Sequence, residues 1–143
     1  VCEVEAVYRP IINPSKNPKI ATSQQAVDYV RPAYTEIIDF YERTSALFLN
    51  RNNHVIGLMK VCDGTRGSAM VDIPRIFQLG LKVNAHRVIL FHNHPSGNPS
   101  PSEQDIKLTK RINNIGKLLE ITVCDHIILT RDSYYSFQDN GDC

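Results

Sequence analysis

The sequence predicts a single mixed α/β domain, a sheet covered by helices. Three observations carry this. At 143 residues the chain has room for one sizeable core, whereas a (β/α)8 barrel needs about 200 residues or more. Hydrophobic residues make up 42% and charged residues 22%, the balance of an ordinary folded domain rather than of a disordered chain. Helical stretches also interleave with both a hairpin and isolated strands, the order expected of a mixed sheet.

The elements follow in order. Residues 2–8 alternate apolar and polar and predict a half-buried strand. Residues 9–20, with Pro10, Pro14 and Pro18, predict a linking loop. A helix opens near Thr22-Ser23, either of which can serve as N-cap, and Pro32 ends or kinks it. Residues 33–41 predict a second short helix. A hairpin comes next, with 46–49 as one strand, 50–53 as the turn and 54–59 as the return. Asp72 caps a helix whose inner face carries Ile73, Ile76, Phe77, Gly80 and Leu81. Residues 87–91 form a compact apolar run, a buried strand. A proline-rich loop then leads into a helix of about fifteen residues ending at Leu119, and strands near 121–129 and 134–137 close the chain.

Composition excludes several classes. The formal net charge is +1, not the basic footprint of a duplex-coating protein. No apolar run approaches the roughly 18 residues of a membrane span, so no membrane partner is expected. Cys2, Cys62, Cys124 and Cys143 form no C-x-x-C pair, which disfavours a zinc ribbon or a thioredoxin-like site. Free thiols and the lack of a signal-peptide pattern lead to an expectation of a cytoplasmic protein.

The chemistry concentrates in residues 92–105. His92 and His94 lie two apart at the end of a predicted strand, so both imidazoles point to one side. Pro95 keeps the extended segment from turning helical too early. H-x-H alone is shared by unrelated metal sites and by simple exposed histidine pairs. The downstream spacing adds weight. Ser100 as N-cap, Pro101 at the first helical position and Glu103 three residues on predict a capping box. Ser102-x-x-Asp105 has the form of a capping box too, but with Ser100 and Glu103 filling that role, Ser102 and Asp105, three apart on one helix face, are left free to face inward. Two histidines and a carboxylate make three ligands that zinc accepts, with a fourth position open.

This pattern, H-x-H-x(7)-S-x-x-D, resembles the JAMM signature of the MPN+ (JAB) metalloprotease superfamily. The run His92-Asn93-His94-Pro95-Ser96-Gly97, with Pro101-Ser102 and later Asp125-His126, resembles more specifically the bacterial RadC family. The likeness spans roughly residues 36–140. It implies one domain over 1–143 of MPN/JAB type, a three-layer fold related to cytidine deaminases. Residues 1–35 are then an N-terminal extension, and no helix-hairpin-helix segment is expected. The resemblance also implies His92, His94 and Asp105 as zinc ligands, Ser102 as hydrogen-bond donor to an oxyanion, and an upstream glutamate as general base. Counting back seven residues from Leu49 makes that glutamate Glu42, with Glu36 the other candidate. Asp125-His126 is open between support of the ligands and packing, while His54 and His86 are expected at the surface or an edge.

The implied function is zinc-dependent hydrolysis of an amide bond in a peptide or isopeptide-linked protein. Two alternatives stand beside it: a DNA-repair-associated protein that binds DNA, as the RadC label suggests, and a metal-binding scaffold without turnover. A cationic run on the last helix (Lys107, Lys110, Arg111, Lys117) is the ordinary pattern of a solvated face and adds nothing to the DNA reading. A zinc deaminase lacks its H-x-E and P-C-x-x-C here. Substrate recognition is assigned to loops such as 60–71, and the oligomeric state is open.

Overall fold

The computed structural model describes residues 2–5, 7–10, 13–64 and 71–143. Five strands form one mixed sheet in the order β2-β1-β3-β4-β5. The strands are β1 (Arg43–Leu49), β2 (Val55–Asp63), β3 (Arg87–Asn93), β4 (Thr122–Leu129) and β5 (Tyr134–Ser136). The hairpin partner β2 and the central β3 both run antiparallel to β1, β4 lies parallel to β3, and β5 returns antiparallel to β4. The β3–β4 parallel pair needs a crossover. Helix α3 (Glu103–Leu119) supplies it.

Two apolar clusters place the layers. On one face, Ala26, Val27 and Val30 of α1 (Ser23–Val30) pack on Leu47, Leu49, Ile89, Phe91, Ile127 and Leu129. On the other, Ile73, Ile76 and Phe77 of α2 (Ile73–Lys82) and Ile112 of α3 pack on Ala46, Phe48, Val88 and Leu90. The sheet is therefore the middle of three layers, as the MPN/JAB type requires. Alternation along β3 sends Val88, Leu90 and His92 to the α2/α3 side and Ile89 and Phe91 to the α1 side.

Several elements form as the sequence predicts. Thr22 caps α1, its hydroxyl accepting from the Gln25 N–H, and the helix ends at Val30 before a 3-10 turn (Arg31–Tyr34) that contains Pro32. The Asp72 carboxylate accepts from the Arg75 N–H and starts α2. Gly80 lets α2 approach the sheet, since a Cβ there would lie 3.2 Å from both Ile121 and Phe48 side-chain atoms.

Four expectations need correction. The described residues among 2–8 form no strand, and Val4 is 90% exposed; alternation supplies an apolar edge but no pairing partner (Ala6 lies outside the described residues). Residues 35–40 form turns rather than a helix, continuing the 3-10 turn that Pro32 imposes. Leu81 is exposed, and the buried face of α2 ends at Gly80. The return strand of the hairpin runs beyond residue 59 to Asp63, so residues 60–63 are strand rather than recognition loop, and 65–70 lie outside the described residues. No helix among the described residues is long and apolar enough to cross a membrane, and no disulfide joins the four cysteines among the described residues.

Candidate metal centre

The site assembles where the C-terminal end of β3 meets the N-terminus of α3. Thr44 of β1 pairs with His92, so Glu42, two residues before Thr44, points to the same side of the sheet. His94 follows the strand end, tied to the sheet by its N–H donating to the Leu129 carbonyl. Asn93 takes the opposite side, as alternation demands. Its amide donates to the Ile38 and Tyr41 carbonyls and accepts from the Arg43 N–H.

Helix α3 starts differently from the sequence expectation. The N-cap is Ser102, not Ser100, and Ser100 and Pro101 stay outside the helix. Ser102 Oγ accepts from the Asp105 N–H at 3.1 Å, and Asp105 Oδ2 accepts from the Ser102 N–H at 2.8 Å. Asp105 is thus the far half of the capping box, and Ser102 and Asp105 are not free of that duty. The physical reason is that an aspartate three residues after a serine closes the box as well as the Ser100–Glu103 pair would. The two duties agree. A box carboxylate folds back over the helix start, which is where the strand end presents its histidines.

Three side chains converge there. Asp105 Oδ1 lies 3.2 Å from His92 Nε2, Asp105 Oδ2 lies 3.2 Å from His94 Nε2, and the two Nε2 atoms are 3.0 Å apart. Ligands about 2.0–2.2 Å from one tetrahedral ion sit about 3.3 Å from each other, so the spacing fits a metal ion. The remaining ring nitrogens are engaged elsewhere: His92 Nδ1 contacts His126 Nε2 at 2.8 Å, and His94 Nδ1 reaches the Asn98 carbonyl at 2.9 Å. Both Nε2 atoms are left for the shared centre. Among the described residues this trio is the group of His, Cys, Asp and Glu side chains that could hold a metal ion.

Electrostatics follow from the geometry. Burial acts to raise the Asp105 pKa, but the bonds to His92 and His94 outweigh it and hold the carboxyl well below the usual carboxylate range. Burial acts to lower the pKa of His94, yet the Asp105 carboxylate, the Asn98 carbonyl and the Glu42 charge together push it above its ordinary value. His126 is fully enclosed, and burial drives its pKa well below that of a free histidine.

A cleft of about 610 Å³ opens over the trio, lined also by Glu42, Thr44 and Ser102. Glu42 is half-buried there, while Glu36 is exposed and lies outside the cleft. The four helix cations are all exposed, although Lys107 and Arg111 also border the cleft.

Asp125 and His126 prove to have separate tasks. The Asp125 carboxylate is buried and accepts from Ser136 Oγ at 2.5 Å, from the Gln138 N–H at 2.9 Å and from the His126 N–H at 2.8 Å, pinning the β4–β5 corner. His126 instead touches His92 and Thr109. Its place there depends on an irregularity in β4: Val88 pairs with Val123 and Ile89 with Asp125, leaving Cys124 without a partner in the register. One extra residue exchanges the two faces of everything after it. Val123 packs toward α2 and α3, Ile127 packs toward α1, and His126 therefore faces His92. The DH pair was visible in the sequence, but the bulge that orients it has no local signature. His54 is an edge residue, its Nδ1 2.8 Å from the Asn17 carbonyl.

A family model described as the RadC-like JAB domain matches residues 20–142. Among curated relatives, the UPF0758 protein of Flavobacterium johnsoniae is 39% identical over 123 residues, 86% of this chain and 53% of that protein. A UPF0758 protein of Listeria monocytogenes is 34% identical over 131 residues, 92% of this chain and 58% of that protein. One from Desulfitobacterium hafniense is 36% identical over 137 residues, 96% of this chain and 56% of that protein. The chain thus spans a little over half the length of these relatives. With the family model covering most of the chain and the relatives agreeing, this protein belongs to the RadC-like JAB domain family.

Proposed function

We propose that this domain is a zinc-dependent hydrolase of amide bonds, a peptidase or isopeptidase, with His92, His94 and Asp105 as metal ligands, Glu42 as general base and Ser102 as oxyanion donor. The observation that carries this reading is the convergence of the His92 and His94 Nε2 atoms and the Asp105 carboxylate under a cleft that Glu42 and Ser102 share. Zinc bound there would act as a Lewis acid on a scissile carbonyl and make a water acidic near neutral pH.

The side chains supply the rest. The Glu42 carboxylate, at the start of β1 and half-exposed to the cleft, accepts the proton of the attacking water and returns it to the departing amine. Ser102 Oγ already accepts from the Asp105 N–H, which leaves its own hydrogen free to donate to a developing oxyanion. The facing imidazoles of His92 and His94 favour the charged form of Asp105, the form that binds a cation. The substrate is a peptide or isopeptide-linked protein whose scissile bond enters the cleft between β1 and α3.

Metal analysis of the purified chain, joined to cleavage of a peptide library, tests the reading. Zinc should be retained at about one ion per chain. Glu42→Gln should keep that zinc and lower hydrolysis roughly 10²–10⁴-fold, whereas Glu36→Gln should behave as the parent. A zinc-loaded parent that cleaves nothing would favour the scaffold without turnover, and full activity in Glu42→Gln would remove the base assignment.

A further inference from the structure

A buried chain of hydrogen bonds runs behind His92 and ends on the helix that carries Asp105. Thr109 and His126 are 1% and 0% exposed. Thr109 Oγ lies 2.8 Å from the Asp105 main-chain carbonyl and 2.6 Å from His126 Nδ1. His126 Nε2 lies 2.8 Å from His92 Nδ1. The His126 ring is stacked flat on Phe137, with centroids 4.8 Å apart and planes 3° apart, so it cannot turn away without breaking that stack.

The direction of each bond follows from what each atom can do. A carbonyl oxygen only accepts, so the Thr109 hydroxyl donates its one hydrogen to Asp105. Thr109 Oγ then offers only lone pairs to His126, and Nδ1 of His126 must carry the ring hydrogen. A neutral imidazole has one N–H, and no carboxylate bonds this enclosed ring. His126 Nε2 is therefore bare and accepts from His92 Nδ1–H. With the hydrogen on Nδ1, the neutral His92 ring has a bare Nε2 at the centre it shares with Asp105 and His94, and only a protonated ring can also donate from Nε2 to Asp105. The reversed chain, with Thr109 donating to His126, would put a hydrogen on His92 Nε2 and turn it against any cation.

We propose that His126, backed by Thr109, is a positioning residue that fixes the tautomer of His92 and so presents a bare Nε2 to a metal ion. The usual partner of a metal-bound histidine is a carboxylate, a main-chain carbonyl or water. His94 has such a partner in the Asn98 carbonyl. His92 has a second histidine, which can either donate or accept, so its direction has to be set from beyond, and Thr109 sets it. The proposal rests on the reading of His92 as a ligand.

Long-range proton–nitrogen NMR of the metal-free chain, paired with zinc affinity by chelator competition, tests it. In the parent, His92 and His126 should both appear as Nδ1–H tautomers. Thr109→Val keeps the shape and removes the hydroxyl, so His126 should shift toward Nε2–H and drive His92 to Nε2–H as well. Zinc affinity should fall roughly 10–100-fold, the usual cost of losing such support, and Thr109→Ser should restore both readouts. A parent that binds zinc with His92 as Nε2–H overturns the proposal. So does a folded Thr109→Val that keeps Nδ1–H and full affinity. The parent spectrum decides even if that variant does not fold. A parent that takes up no zinc, whatever its tautomers, removes the metal reading itself.

Discussion

His92 and His94 stand two residues apart and aim at one centre, yet they are held by different kinds of structure. His92 is 5% exposed within β3, with strands on both sides and a buried side-chain chain behind it. His94 lies past the strand end and is held by the main-chain carbonyl of a loop that turns at Gly97. The first is supported by the packed core, the second by a turn at the surface. The difference implies that one half of the centre is rigid and specified by side chains, while the other is set by backbone conformation and tolerates side-chain change. Asp105 joins the two halves, one carboxylate oxygen to each ring.

Removing that junction should have the largest effect. Asp105→Ala deletes a proposed ligand and half of the capping box, so zinc affinity should drop by more than the roughly 100-fold upper range for a supporting group, and the metal-free chain should lose about 1 kcal/mol. Ser102→Ala should lose a similar amount of stability and keep its zinc. Chelator competition and thermal unfolding of both variants separate the ligand from the cap.

The two halves should also answer pH in opposite senses. His126 refuses a proton that the unfolded chain accepts, so it makes the metal-free protein lose stability as pH falls below about 6.5, by at most about 1.4 kcal/mol per pH unit. His94 has a raised pKa, so its pairing with Asp105 stabilises below the ordinary histidine value and is lost as pH rises through the raised one. In the parent these oppose each other. Asp105→Asn removes the second contribution, so its stability should fall more steeply than the parent's between pH 7 and pH 5. Denaturant unfolding in the presence of a chelator measures this.

The smallest effect is expected in the loop. Gly97 has φ of +83°, and a Cβ there would meet nothing within 4 Å. Gly97→Ala should therefore cost only backbone strain, about 1 kcal/mol. It should loosen the Asn98 carbonyl from His94, weaken zinc less than Thr109→Val does, and leave the His92 tautomer unchanged.

Much of the centre was legible because it depends on spacing within short segments. Two residues apart in a strand places His92 and His94 on one side, and Asn93 is duly turned to the other. The same reasoning failed at α3, where two overlapping serine-based starts were available. The choice between them depends on which start lets the box carboxylate reach the histidines, a contact between distant segments. It failed also at residues 2–8, where alternation predicts a strand and the described residues form none.

What the sequence by itself determined is the set of local devices: the strand that aims the histidine pair, the side chains that cap α1 and α2, and the apolar faces that make a three-layer fold. Those depend on covalent geometry, with a period of two in strands and 3.6 in helices. Only the tertiary structure decided that Glu42 rather than Glu36 borders the cleft, and that a bulge at Cys124 turns His126 toward His92. Both depend on pairings between segments remote in the chain, His92 and His126 being 34 residues apart. A one-residue slip in such a pairing reverses every side chain that follows it, and the short-range pattern is the same either way.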